Sequence, residues 1–124
     1  MGDLSEHFSE VELLCPCCGK LRLDDRLITA LEKLRRLAKK PIYIESGYRC
    51  DNWNALKGGT PGSQHLIGRA ADVVIPGMWP EEVENLAAQI WEFSHGGIGL
   101  YPHKGYTHLD VRLDGPARWK GLPG

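Results

Sequence analysis

His65 stands seven residues ahead of Asp72, and Asp72 lies inside an otherwise apolar run, Ala70-Ala71-Asp72-Val73-Val74-Ile75. That run has the length and character of a short buried strand, where an aspartate is costly unless it is paired or bound to a metal. Strand alternation puts Ala70, Asp72 and Val74 on one face and Ala71, Val73 and Ile75 on the other. A second histidine in a comparable setting is His108, within Tyr106-Thr107-His108-Leu109-Asp110-Val111-Arg112-Leu113. There Leu109, Val111 and Leu113 point one way, and His108, Asp110 and Arg112 the other. Two histidines and one carboxylate, with a fourth position left for water, are the donor set of a catalytic zinc site. Such an ion takes neutral imidazole nitrogens and a carboxylate oxygen at about 2 Å and lowers the pKa of a water towards ~7. The pattern therefore points to metal-assisted hydrolysis, with His65, Asp72 and His108 as ligands. Two plainer readings compete with it. The polar triple could be the solvated side of an edge strand, and Asp72 could simply pair with Arg49, Arg69 or Arg112.

These residues need a scaffold, and the rest of the chain supplies the signals for one. Ser9-Glu10-Val11-Glu12 has the form of a capping box, which predicts a short helix near residues 10–14. Asp24 or Asp25 caps a longer helix to about Lys39, with Leu27, Ala30, Leu31, Leu34, Leu37 and Ala38 as its buried stripe. Lys39 and Lys40 suit the helix C-terminus, and Pro41 ends it. Pro41–Ser46 reads as a strand, Gly47–Cys50 as a turn, Asn52–Leu56 as a short helical stretch, and Gly58–Gly62 as the loop that delivers His65. After the Asp72 strand, Pro76-Gly77 turns the chain and Pro80 starts a helix through about Phe93. Its inner face is Val83, Leu86, Ala87, Ile90 and Trp91. Gly96–Tyr101 and Thr107–Leu113 form a β pair joined at Pro102–Gly105. The expected fold is α+β, a single domain over residues 1–124 with a small, mainly antiparallel sheet flanked by helices. The cysteine-containing segment 1–19 belongs to that same domain.

Composition narrows the function classes. A chain of 124 residues with 42% hydrophobic residues can bury a real core. A net charge of -1 offers no electrostatic footprint for nucleic acid. No apolar run approaches the ~20 residues of a membrane span, and no basic-then-apolar leader opens the chain. The expectation is a monomer made in the cytoplasm without an export signal of its own.

Taken together, Ser46-Gly47-Tyr48-Arg49, Ser63-x-His65-x-x-Gly68-x-x-x-Asp72, Gly96-Gly97-Ile98-Gly99-Leu100-Tyr101 and Thr107-His108-Leu109-Asp110-Val111-Arg112 resemble the zinc D-alanyl-D-alanine carboxypeptidase family. More closely they look like its small peptidoglycan-peptidase branch, which includes phage endolysins, with the fold shared by the hedgehog signalling domain. The resemblance runs from about Phe8 to Trp119. It implies that His65, Asp72 and His108 bind zinc and that Arg49 holds a substrate carboxylate or polarises the scissile carbonyl. A guanidinium fork suits either task. Ser63 and Gln64, beside the first ligand, are candidate substrate contacts. The substrate class implied is the peptide stem of bacterial cell wall, cut by a D,D-carboxypeptidase or an endopeptidase. Such a protein acts at the wall, reached by phage-type release or unconventional export.

The chain departs from that family at the catalytic base. Family members place Glu or Asp three residues before the final histidine, where this chain has Gly105. His103 and Asp110 are the remaining proton-transfer candidates, Asp110 also being suited to orient His108 or pair with Arg112. Gly105 keeps a second reading open, a catalytically silent zinc-binding module that binds cell wall or serves in a phage structure. The four cysteines also leave alternatives. Cys15, Cys17, Cys18 and Cys50 could hold a second, structural zinc ion, although Cys-x-Cys-Cys is cramped beside the usual paired knuckles. A disulfide from the cluster to Cys50 is geometrically easier, and reduced thiols are the plain alternative.

Overall fold

The computed structural model describes residues 2–121. Its first long element follows from the leucine spacing: α2 spans Asp25–Ala38 and buries Leu27, Ala30, Leu31 and Leu34. The Asp24 carboxylate accepts a hydrogen bond from the Arg26 N–H, and Lys39 closes the helix in the left-handed region. Leu37, expected in the stripe, is 43% exposed because the last turn runs past the edge of the core. The shorter α1, Glu10–Leu13, is started by the Glu12 carboxylate accepting from the Ser9 N–H at 2.7 Å.

Five strands form one sheet in the order β1-β2-β4-β3-β5. They are β1 Tyr43–Ser46, β2 Ala70–Val74, β3 Gly97–Tyr101, β4 Tyr106–Asp110 and β5 Ala117–Lys120. All neighbours are antiparallel except β3 and β5, which run parallel. Ala71, Val73, Ile98 and Leu109 line the core face, where they meet α2, Phe8 and Leu13 of the N-terminal segment, and the helical stretch after β2. The α+β expectation is correct, with the polar ends of β2 and β4 on the opposite face.

Three local readings change. The helix expected from Pro80 to Phe93 is two, α4 Pro80–Ala87 and α5 Trp91–Ser94. Gln89 and Ile90 make i+3 bonds to Leu86 and Ala87, and Ile90 then turns extended, so its side chain and Phe93 reach the core. That break rotates Trp91 outward, leaving it 61% exposed rather than on an inner face. The last predicted strand stops at Asp110, so Leu113 is exposed instead of continuing the apolar face. β5, which carried no clear sequence signal, adds an edge strand and brings Trp119 to the site face.

Candidate metal centre and its cavity

Register assembles the site. Ser46 pairs with Asp72, Asp72 with His108, His108 with Gly99, and Gly99 with Trp119, a row across all five strands. Directly opposed residues share a face, so the row presents its side chains to one side. Two details make it possible. In β1 the register slips between Ile44 and Ser46, which pair with the consecutive residues Val73 and Asp72. Glu45 is therefore the extra residue of a β-bulge, and the bulge lets Ile44 join the core face while Ser46 joins the site face. At Gly99, a β-carbon would lie 2.4 Å from the Trp119 indole, so only glycine lets that ring cover the row. The Trp119 and His108 ring centroids are 5.0 Å apart.

His65 arrives from a different local structure. Gln64–Ile67 is one turn of 3-10 helix, capped by Ser63 Oγ accepting from the His65 N–H at 3.2 Å. Gly68 ends the turn in the left-handed region, pressed so closely on the Arg22 carbonyl that a side chain there would collide. His65 Nδ1 lies 2.7 Å from the Gly47 carbonyl oxygen. A carbonyl can only accept, so Nδ1 carries the proton and Nε2 presents a lone pair. That Nε2 is 3.3 Å from Asp72 Oδ1.

His108 repeats the arrangement with its nitrogens exchanged. Its Nε2 lies 2.8 Å from Asp110 Oδ2 and its Nδ1 3.0 Å from Asp72 Oδ1. With Nε2 donating to Asp110, the neutral ring turns the lone pair of Nδ1 towards Asp72. Two imidazole lone pairs and a carboxylate oxygen then converge in a buried place, a mutually repulsive set unless a cation sits among them. Ligand atoms around a tetrahedral zinc at about 2.0–2.1 Å lie about 3.3 Å apart, close to the separations observed here. All three donors fall within 4.8 Å of one another, so the residues fit the ion that their types implied.

Asp72 divides its carboxylate between two jobs. Oδ1 faces the histidines, and Oδ2 accepts from the Arg49 guanidinium at 3.1 Å. Burial would raise its pKa, but without an ion in place hydrogen bonds from the two histidine rings take the cation's part, outweigh burial and hold it well below the usual carboxylate range. The salt bridge weighed in the sequence is thus present, through Arg49, alongside the ligand geometry. Arg49 is buried and steadied further by Ser46 Oγ at 2.9 Å and Asn54 Oδ1. Arg69 pairs with Asp24 instead.

Asp110 is fully buried, and both of its oxygens are occupied. Oδ2 accepts from His108 and Arg112, and Oδ1 accepts from the Arg112 backbone and Nε. Burial pushes its pKa up, yet His108 and Arg112 bring it far below normal. Room for this carboxylate comes from Gly97, where a β-carbon would stand 2.3 Å from Oδ2. The polar face of β4 is therefore closed rather than solvated, and Asp110 lies at the His108 nitrogen that faces away from Asp72. His103 is exposed on the β3–β4 turn beside Tyr101 and does not line the cavity. Gly105, at φ +81°, occupies the same turn.

The cavity over the row measures about 340 Å³. Arg49, Lys57, Lys104 and Arg112 bring positive charge to its walls, and Ser63 and Gln64 line it near His65. Gln64 Oε1 is buried and has no hydrogen-bond partner among the described residues. Sequence reasoning missed Tyr106, which lines the cavity two residues before His108; strand alternation from His108 was the available signal. Burial and the nearby Asp72 charge push its hydroxyl up to about 12, so it stays protonated at neutral pH and can donate. Among the described residues, Asp72 is the sole carboxylate lining this cavity. The bulged Glu45 lines an adjoining hollow together with Arg49, Asp72 and Tyr106.

Comparison with known proteins decides the family, since residues 6–110 match the description Peptidase M15. The chain belongs to the peptidase M15 family. The match contains Arg49, the three donors and Asp110, while Trp119 lies beyond it. Among curated M15-like relatives, the peptidoglycan L,D-endopeptidase MepK of Escherichia coli and that of Shigella flexneri are each 33% identical over 103 residues. The aligned part is 77% of this chain and 53% of each relative, so the chain spans about half their length.

Proposed function

We propose that this M15 member is a zinc-dependent peptidase that cuts within the peptide stems of bacterial peptidoglycan. The observation that carries the reading is the convergence of His65 Nε2, His108 Nδ1 and Asp72 Oδ1 as three buried lone-pair donors beside Arg49. An ion held there supplies Lewis-acid chemistry, polarising a carbonyl and acidifying a water. Arg49 and the protonated Tyr106 are donors suited to a developing oxyanion. Gln64 Oε1 is placed to accept an N–H of the substrate backbone, and the cationic walls suit the carboxylates of stem peptides. Asp110 fixes the His108 tautomer, and Glu45 is the carboxylate proposed to take the proton from the attacking water. The named activity of MepK supports endopeptidase over carboxypeptidase action.

The test is mass spectrometry of products from defined cross-linked muropeptides. Expected are internal cleavage products with the protein as purified, loss with a chelator, return with zinc, and none with His108→Ala. Release of terminal D-alanine alone would move the assignment to carboxypeptidase. Tight zinc binding without any product would favour the silent wall-binding module that Gly105 keeps open.

A further inference from the structure

We propose that Cys15, Cys18 and Cys50 form a second metal site, structural in role, that takes zinc through thiolates. Read as Cys-x-Cys-Cys the cluster is cramped, but the structure uses the outer pair. Cys15 and Cys18 bracket a tight turn, with Gly19 N–H donating to the Cys15 carbonyl and Cys15 N–H to the Lys20 carbonyl, both at 2.8 Å. Gly19 closes the turn at φ +71°, where its open surroundings leave the backbone free to curl. This is Cys-Pro-x-Cys-Gly, with the two-residue gap of a zinc knuckle.

Cys50 comes to this turn from 32 residues beyond Cys18, at the N-cap of α3, Asp51–Leu56. The sulfurs of Cys15, Cys18 and Cys50 all lie within 4.8 Å of one another. Zinc–sulfur bonds of about 2.3 Å place tetrahedral ligands about 3.8 Å apart, so little movement is needed. Backbone donors already face the sulfurs. Cys50 N–H donates to Cys15 Sγ at 3.4 Å, and Trp53 N–H to Cys50 Sγ at 3.5 Å. N–H donors aimed at sulfur are the surroundings that metal-ligating cysteines commonly have. All four cysteines are free thiols, and Cys17 is exposed within the same turn. A disulfide would use two of these sulfurs and strand the third.

The site lies where the N-terminal segment docks on the substrate-binding turn. Tyr48 N–H donates to the Leu13 carbonyl at 2.8 Å, and Gly47 is pressed against Leu13 with no space for a β-carbon. A metal there ties α1 to the residue next to Arg49, whose guanidinium supports Asp72.

Elemental analysis of the full chain, purified without chelator, tests the assignment. Wild type is expected to carry about two zinc ions, and Cys18→Ser and His108→Ala about one each. Cys18 is exposed, so serine there disturbs no packing, and circular dichroism checks that the variant is folded. Cobalt loaded into His108→Ala is expected to show thiolate-to-metal charge-transfer absorption that Cys18→Ser lacks. Unchanged zinc content in Cys18→Ser overturns the site, as does an intact mass showing a disulfide in the zinc-loaded protein. Failure of the hydrolytic centre would read differently, as zinc content insensitive to His108→Ala.

Discussion

His108 shows how one imidazole can serve two carboxylates with opposite consequences. Asp110 fixes a proton on Nε2, and that leaves Nδ1 as a lone pair beside Asp72. In place of Asp110, Asn keeps one acceptor oxygen, which the two Arg112 donors on the Oδ1 side claim; its NH2 then faces Nε2, so the ring protonates at Nδ1 and loses its ligand atom. The expected result for Asp110→Asn is a 10- to 100-fold loss of zinc affinity, about the usual weight of such partners, read by competition with a chromophoric chelator. Unchanged affinity would remove Asp110 from the positioning role. Glu45 belongs to another step and makes a contrasting prediction. Glu45→Gln is expected to lower kcat by roughly 10²–10⁴ with KM and zinc content held, since a lost general base costs about that much. A normal kcat in that variant would end the assignment. For Gln64→Ala the expected change is in KM, because a side chain that lines the cavity without taking part in the proposed chemistry contributes to binding.

The elements explain which of these features were legible beforehand. Asp72 and His108 were readable because strand alternation and burial make them expensive without a partner, whereas His65, on a 3-10 turn, was readable only through its spacing from Asp72. The fold class followed from periodicity, as in the leucine stripe of α2. Glu45 was hidden because a bulge has no side-chain signature; it is a slip in pairing that only register reveals. Trp119 was hidden for a related reason, since β5 is an edge strand whose place depends on a parallel pairing distant in sequence. Glu32 is a third case: a charged residue on the buried side of α2, 6% exposed. Its carboxylate accepts from Ser5 Oγ, the His7 N–H and the His7 ring, pinning the N-terminal segment to the helix. Burial would raise its pKa, but these donors more than offset it and bring it below the ordinary value. A depressed carboxyl stabilises the fold above the unfolded pKa near ~4.3 and loses that contribution as pH falls through the lower folded value. Glu32→Gln is therefore expected to cost about 1–3 kcal/mol in urea unfolding at pH 7. The gap to wild type should close on acidification below about pH 4. A gap independent of pH would mean that the charge of Glu32 is not what holds the segment.

At the scale of the molecule, the candidate metal centre joins parts of the chain that local forces do not. Its donors come from the 3-10 turn, β2 and β4, and Arg49 ties in the turn after β1. In the folded chain these lone pairs are held together by the sheet and by hydrogen bonds to Gly47 and Asp110, at an electrostatic cost. An ion bound by the folded state alone would relieve that cost and add directly to the free energy of unfolding. With free zinc at a thousand times its dissociation constant, one site contributes about 4 kcal/mol, or a rise in Tm of roughly 10–20 °C for a domain of this size. Differential scanning calorimetry of chelator-stripped protein against zinc is the measurement. His65→Ala should abolish the share of the rise that belongs to this centre, because His65 is the donor that joins the turn to the sheet. Any rise that survives in His65→Ala but disappears on adding Cys18→Ser belongs to the thiolate site. A Tm indifferent to zinc in the wild type would mean that the converging lone pairs are relieved by protons rather than by a metal, and the hydrolytic reading would lose its foundation.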